Sequence, residues 1–170
     1  MLILSIQEKL PPKNRTNQEQ QILDVVVHES RLIAAVELKT IWGSYRNNLN
    51  NRAEEAIGSA TDLAKALQSG LLGSSFPWLG YVFIIKDDAA IHRTNRFREP
   101  HFPVDEVFRD ATYLKRFEVL CSRLVTERLY DNVWYVCLND DSGEYLEPNA
   151  GMTWSKFEAA IRGKVLEELA

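Results

Sequence analysis

The sequence predicts an α/β domain built on one mixed central sheet flanked by helices. Three observations carry that expectation. Residues 22–39 hold two β-branched apolar runs about a polar break, the signature of a β-hairpin. Beyond the hairpin, apolar residues recur at helical spacing over 52–69, 112–129 and 153–169. Between those helices lie two short, nearly continuous apolar runs, 79–86 and 132–138, which read as strands. A helix separating two strands makes a parallel crossover the natural connection.

The chain has 170 residues, enough for a single domain over 1–170 with a substantial core. Its 45% apolar and 26% charged residues are ordinary for a globular protein. The net charge of −4 gives no global attraction to nucleic acid, so contact with a polyanion needs a local basic patch. Cys121 and Cys137, the two cysteines, lie in apolar runs and read as packing residues rather than a disulfide, a metal pair or a nucleophile. Their usage and the lack of a signal-peptide pattern fit a reducing cytoplasm. No apolar run approaches the roughly 18 residues of a membrane span.

In chain order, Leu2-Ile3-Leu4 is a short apolar run, and 11–21 is polar and reads as an exposed loop. The hairpin follows, with three charges inside apolar strands: Asp24, Glu37 and Lys39. Alternation puts Glu37 and Lys39 on one face and Leu38 on the other. If Glu29-Ser30 is a two-residue turn, His28 opposes Arg31 and Asp24 opposes Ala35. Asp24 then shares the face of Glu37 and Lys39, with Asp24 and Glu37 diagonal neighbours about 7–8 Å apart at Cα. An odd loop without a bulge separates them. Two carboxylates and an ammonium on one apolar strand face suit a divalent cation, and hard oxygen ligands suit Mg2+. The alternative is a strand end with three solvated charges.

Residues 40–51 contain Gly43, Ser44 and the asparagines Asn47, Asn48, Asn50 and Asn51, which argue against a long helix there. With Arg46 and Arg52, and no acid between, the stretch suits phosphate and base-edge contacts. It also suits a connection capping the next helix through Asn50 or Asn51. Over 52–69 the apolar face is Ala53, Ala56, Ile57, Ala60, Leu63, Ala64 and Leu67, with Gly70 as C-cap. Glu54 and Glu55 fall in the first turn of such a helix, where they favour its dipole. One of them can also reach the hairpin charges if the helix crosses the strand ends.

Residues 91–103 hold the strongest basic patch: Arg93, Arg96 and Arg98 with His92 and His101. Such a loop can follow a DNA backbone or enter a groove. The alternative is a solvated loop pinned by Phe97 and Phe102. His92 and His101 are metal ligands by type, but no third ligand stands at zinc-like spacing. The turn at Asn139–Gly143 has calcium-loop composition without that motif's spacing. Thr153 can cap the last helix, whose apolar side is Trp154, Phe157, Ile161, Val165 and Leu169.

Asp24 followed by Glu37-Leu38-Lys39 at the end of the next strand, then a helix and a strand, resembles the PD-(D/E)XK nuclease superfamily. The longer stretches 33–39 and 47–58, Pro100-His101-Phe102-Pro103-Val104, and Tyr113 to Cys121 are similar to the XhoI-type restriction endonucleases. The similarity runs in order from about residue 22 to about residue 138. It implies a restriction-endonuclease-like core and a Mg2+-dependent type II enzyme that cuts double-stranded DNA as a homodimer at CTCGAG. It implies that Asp24 and Glu37 hold the metal with the Leu38 carbonyl, and that Lys39 orients water or stabilises the phosphorane. Glu54 or Glu55 is the further carboxylate it suggests. Two departures stand out. Leu23 replaces the motif proline, and only 23 residues precede Asp24, so a shortened, variable N-terminal segment (1–21) is expected. Two rival readings follow: an inactive remnant that dimerises or binds DNA weakly, and a protein-interaction domain on the same scaffold.

Overall fold

The computed structural model describes residues 2–5, 22–28, 31–73, 75–94 and 102–170; in 2–5 and 22–28 it is the strand pairing that is described. Six strands form one sheet in sequence order. Strands β1 (Leu2–Ser5), β2 (Ile22–His28) and β3 (Arg31–Ile41) form an antiparallel meander. Helix α1 (Tyr45–Gln68) crosses to β4 (Trp78–Lys86), which pairs parallel with β3. Helix α2 (Tyr113–Thr126) crosses to β5 (Asn132–Leu138), parallel with β4. The short strand β6 (Tyr145–Leu146) pairs antiparallel with β5, and helix α3 (Trp154–Leu169) ends the chain. The expected mixed sheet with parallel crossovers is present, and β6 is an addition inside a stretch that reads as a turn-rich connection.

The helices divide between the two faces of the sheet. Helices α1 and α2 cover one face over Tyr81, Phe83, Ile85, Phe117, Cys121, Leu124 and Tyr135. On the other face α3 packs Phe157 against Ala34, Trp78 and Val82. Strand β3 shows the alternation that the sheet imposes: Ala35, Glu37, Lys39 and Ile41 are buried, while Val36, Leu38 and Thr40 are half-buried. No helix among the described residues is long and apolar enough to cross a membrane.

Helix α1 begins seven residues earlier than the apolar pattern over 52–69 suggests. The asparagines do not stop it, because they lie on its outer side: Asn47, Asn50 and Asn51 are exposed and Asn48 is half-buried. The inner stripe Tyr45, Leu49, Arg52, Ala56, Ala60 runs continuously at helical spacing. Tyr45 anchors the start, its Oη donating to Asp88 Oδ2 at 2.8 Å across to the end of β4. Packing outweighs the poor helix propensity of asparagine. Glu54 and Glu55 therefore lie well inside the helix, and the first turn holds no acid. Neither Asn50 nor Asn51 is the N-cap; Ser44 holds that position. At the other end Ser69 is the C-cap, and Gly70 follows it in the left-handed region at φ +71°, its N–H donating to Leu67 O.

The hairpin differs in one respect. His28 does pair with Arg31 and Val27 with Leu32, but the register shifts between Val26 and Val27. Ala34 pairs with Val26, so Ile33 is an extra residue on β3 and makes a bulge. Asp24 consequently pairs with Val36 rather than Ala35, and it is Leu23 that pairs with Glu37. By ladder position Asp24 lies level with Val36, not with the row of Glu37 and Lys39.

Gly80 in β4 has a packing role. A Cβ there would lie 2.5 Å from Trp78 Cζ3 and 2.6 Å from Phe157 Cζ, two rings held edge to face with centroids 5.1 Å apart. Neither ring can yield freely. Gly80→Ala should lower the unfolding free energy by about 1–3 kcal/mol in urea denaturation, the usual cost of overpacking. Both cysteines are buried and free. Burial pushes the Cys137 thiol up to about 12, and Cys121 is raised for the same reason. Neither should react with a disulfide reagent at pH 8 until the protein is unfolded, when both should.

Candidate active site

The charges of β3 meet those of α1. Lys39 Nζ lies 3.2 Å from Glu37 Oε1 and 3.1 Å from Glu55 Oε2. Arg52 Nη1 lies 2.6 Å from the same Glu55 oxygen. Glu37 is 2% exposed, Lys39 4% and Arg52 3%, whereas the Glu55 side chain keeps 41% of its surface. The cluster is thus a buried ion network that opens to solvent at Glu55. It has two anions and two cations, so it carries no net charge among these four. Burial of each ion alone would cost several kcal/mol, and mutual pairing offsets that cost.

Local structure explains each position. The two-residue period of β3 points Glu37 and Lys39 toward α1 and α2. Arg52 and Glu55 stand three apart on α1, so both project from its inner side near the sheet. Glu54 is a neighbour in sequence but about 100° away around the helix, and it is exposed. Of the two candidate acids on this helix, Glu55 reaches the hairpin charges.

Tyr130, between α2 and β5, is a member that the sequence patterns do not disclose. Its hydroxyl donates to Glu37 Oε2 and lies 3.1 Å from Ala56 O. Burial, then the adjacent Glu37 charge and their hydrogen bond, raise its pKa far above that of an ordinary phenol. It therefore stays a donor at every working pH. Ser59 Oγ stands 3.5 Å from Glu37 Oε1, at the limit of a hydrogen bond. Tyr81, abreast of Glu37 on β4, is fully buried, and its Oη has no hydrogen-bond partner among the described residues. No sequence signal marks Tyr130, because its link to Glu37 spans 93 positions.

The other predicted residues are placed as follows. Leu38 lies between Glu37 and Lys39 with its side chain among the half-buried residues of the α3 face. Asp24 stands one strand away at the ladder position of Val36. Arg46, Asn47, Asn50 and Asn51 are exposed on α1, and Asn48 Nδ2 donates to Gly43 O at 3.0 Å. Arg52 is committed to Glu55 rather than exposed. Arg93 is exposed, while Arg96, Arg98 and His101 lie outside the described residues. Phe102 is exposed, and Phe97 lies outside the described residues. His92 Nε2 pairs with Asp87 Oδ1 at 2.6 Å, and Asn139 Oδ1 accepts from the backbone N–H groups of Asp141 and Ser142, a plain turn. Among the described residues, no three His, Cys, Asp or Glu side chains are grouped to hold a metal. Glu37 and Glu55 supply two carboxylates about one cation.

Comparison with known proteins gives a consistent result. The family model "Restriction endonuclease XhoI" matches residues 5–146. The type II restriction enzyme XhoI of Xanthomonas vasicola is 47% identical over 108 residues, which are 62% of this chain and 44% of that protein. The type II restriction enzyme BstVI of Geobacillus stearothermophilus is 45% identical over 104 residues, 60% of this chain and 46% of that protein. AbrI of Azospirillum brasilense, also a type II restriction enzyme, is 40% identical over 80 residues, 46% of this chain and 36% of that protein. The matched part of the chain thus spans less than half the length of these relatives. No solved structure matches the chain.

The Tyr130 contact has a measurable consequence. Tyr130→Phe leaves a buried carboxylate short of one donor and should lower the unfolding free energy by about 1.5–3 kcal/mol in urea. An unchanged midpoint would show that the hydroxyl contributes nothing to holding Glu37.

Proposed function

The chain belongs to the XhoI restriction endonuclease family, and on that premise we propose that it is a type II restriction endonuclease. The reaction is Mg2+-dependent hydrolysis of phosphodiester bonds in double-stranded DNA at CTCGAG, by a homodimer, in the cytoplasm. One observation carries the reading: a buried ammonium, Lys39, set between the Glu37 and Glu55 carboxylates. Hard carboxylate oxygens facing a cation are the donor chemistry that suits Mg2+.

Glu37 would hold the metal with the Leu38 carbonyl, and Glu55 would be the additional acid; Asp24, which pairs with Val36, is a further ligand on the family resemblance alone. When bound, Mg2+ supplies positive charge against the phosphoryl oxygens and makes water more acidic. Lys39 acts on the phosphate: its ammonium meets a non-bridging oxygen as negative charge grows there, favouring the transition state over the ground state. A water oxygen bonds to phosphorus as the P–O ester bond breaks, the water releasing a proton to solvent and the leaving oxygen taking one up from it. Tyr130 fixes one Glu37 oxygen and so orients the other. Arg52 holds Glu55 at the rim. The cover of α1 lowers the local dielectric and strengthens each of these interactions.

DNA contact falls to the outer side of α1 and to the basic stretch after β4. Asn47, Asn50 and Asn51 offer amides suited to base edges, and Arg46 suits a phosphate. Asn48 adds its remaining amide capacity, and Arg93, Arg96, Arg98 and His101 form the second contact. Arg52 serves this role through Glu55 rather than by direct contact.

A second reading, a protein-interaction domain on the same scaffold, is favoured by one observation, the pairing of Asp24 with Val36. Cleavage assays separate the two. A plasmid carrying CTCGAG should be cut to discrete products with Mg2+, and one lacking the site should not. Lys39→Ala and Glu37→Gln should each reduce the rate by about 100- to 1000-fold. Asp24→Asn should do the same; full activity in that variant removes Asp24 from the ligand set. A wild-type chain that never cuts, with Mg2+ or Mn2+ and at any protein concentration, overturns the nuclease reading. Gel shifts in Ca2+ then distinguish a DNA-binding remnant from an interaction domain.

A further inference from the structure

We propose that in the metal-free protein the Lys39 ammonium fills the place between Glu37 and Glu55 that a divalent cation takes, so that cation binding requires Lys39 to leave. The proposal rests on the nuclease reading above. It goes beyond that reading in giving Lys39 two stations, one on the carboxylates and one on the phosphate.

Three observations converge. Lys39 Nζ is near-equidistant from two carboxylate oxygens on different elements, 3.2 Å from Glu37 on β3 and 3.1 Å from Glu55 on α1. That is the position of a bridging cation, not of a side chain reaching toward solvent. Second, Lys39 is almost fully buried while Glu55 is part-exposed, so the route by which a cation enters runs past Glu55 to the ammonium. Third, both acids already face cations, Lys39 on Glu37 and on Glu55 and Arg52 also on Glu55. A divalent ion brought between those two carboxylates meets the Lys39 ammonium, a like charge, in the same place, and the two cannot share it. Displacement of Lys39 restores two oxygens to the incoming ion. The four-carbon stem of lysine and its rotatable ammonium permit such a swing. When DNA is bound, the displaced ammonium finds a phosphate oxygen.

This account makes a prediction opposite to that of a lysine which merely supports the fold. Removing the ammonium should tighten divalent-cation binding while abolishing cleavage. The measurement is Mn2+ binding to the full chain without DNA, followed by the free-ion electron paramagnetic resonance signal. Lys39→Met keeps the buried stem and drops the charge, and it should bind Mn2+ about tenfold more tightly than the wild type. Lys39→Gln, which retains a donor for the carboxylates, should tighten binding likewise and serves if the Met variant lacks a cooperative thermal transition. Lys39→Arg keeps the charge and should leave the affinity near the wild-type value. Equal or weaker binding in both neutral variants overturns the proposal, as does tightening in the Arg variant to the same extent. Failure of the nuclease reading shows separately, as absence of cleavage by the wild type.

Discussion

The structure depends on one electrostatic constraint: the charges that β3 turns into the protein must be matched there. Glu37 and Lys39 face the covered side of the sheet because strand geometry allows them no other direction. Their match comes from α1, through Arg52 and Glu55, and from Tyr130 at the entrance to β5. Loss of one partner weakens the compensation of a buried charge, and a buried ion is costly in proportion to the pairing it lacks. The phase of α1 is therefore fixed at both levels. Tyr45 ties its start to Asp88, and the Arg52–Glu55 turn must arrive opposite Lys39. Between them the helix has little freedom to rotate.

The parallel register extends the same constraint across the sheet. Glu37 pairs with Tyr81, and Tyr81 with Val133, so the site, the buried phenol beside it and the start of β5 lie in one row. The row explains why Tyr130, three residues before Val133, comes within reach of Glu37. It also explains the aromatic floor: the Tyr81 ring stacks on Phe83 and tilts against Tyr130. On the opposite face the sheet is served by a different group of rings, Trp78, Phe157, Trp134 and Trp154. Gly80 is the point where α3 comes close enough to seal that side.

Most of this architecture is legible in the sequence, and the exceptions have identifiable causes. Strands and helices from residue 31 onward follow periodic apolar patterns, which burial enforces over many residues at once. The shared face of Glu37 and Lys39 follows from alternation alone. The bulge at Ile33 does not, because a one-residue insertion leaves no mark in composition. Its trace appears only in the structure, as four consecutive buried residues from Leu32 to Ala35. The early start of α1 was hidden by local propensity, since four asparagines outweigh a stripe of Tyr45 and Leu49 unless tertiary packing is known. Strand β6, with two residues, is too short to carry a pattern. Tyr130 joins the site through a contact distant in the chain, and no local rule anticipates it. Choosing Glu55 over Glu54 likewise needed the angle at which α1 crosses the strand ends.

Helix α1 divides its labour by side. One side is committed to the core and to the ion network, while Arg46, Asn47, Asn50, Asn51 and Glu54 face outward without supporting either. Substitution on the outer side should therefore leave folding largely untouched, whereas substitution on the inner side is constrained at nearly every turn. A lineage can explore new outer surfaces without first surrendering the charged cluster beneath them. The same asymmetry offers a practical route for library design, in which five outward positions are randomised on a frame that remains intact.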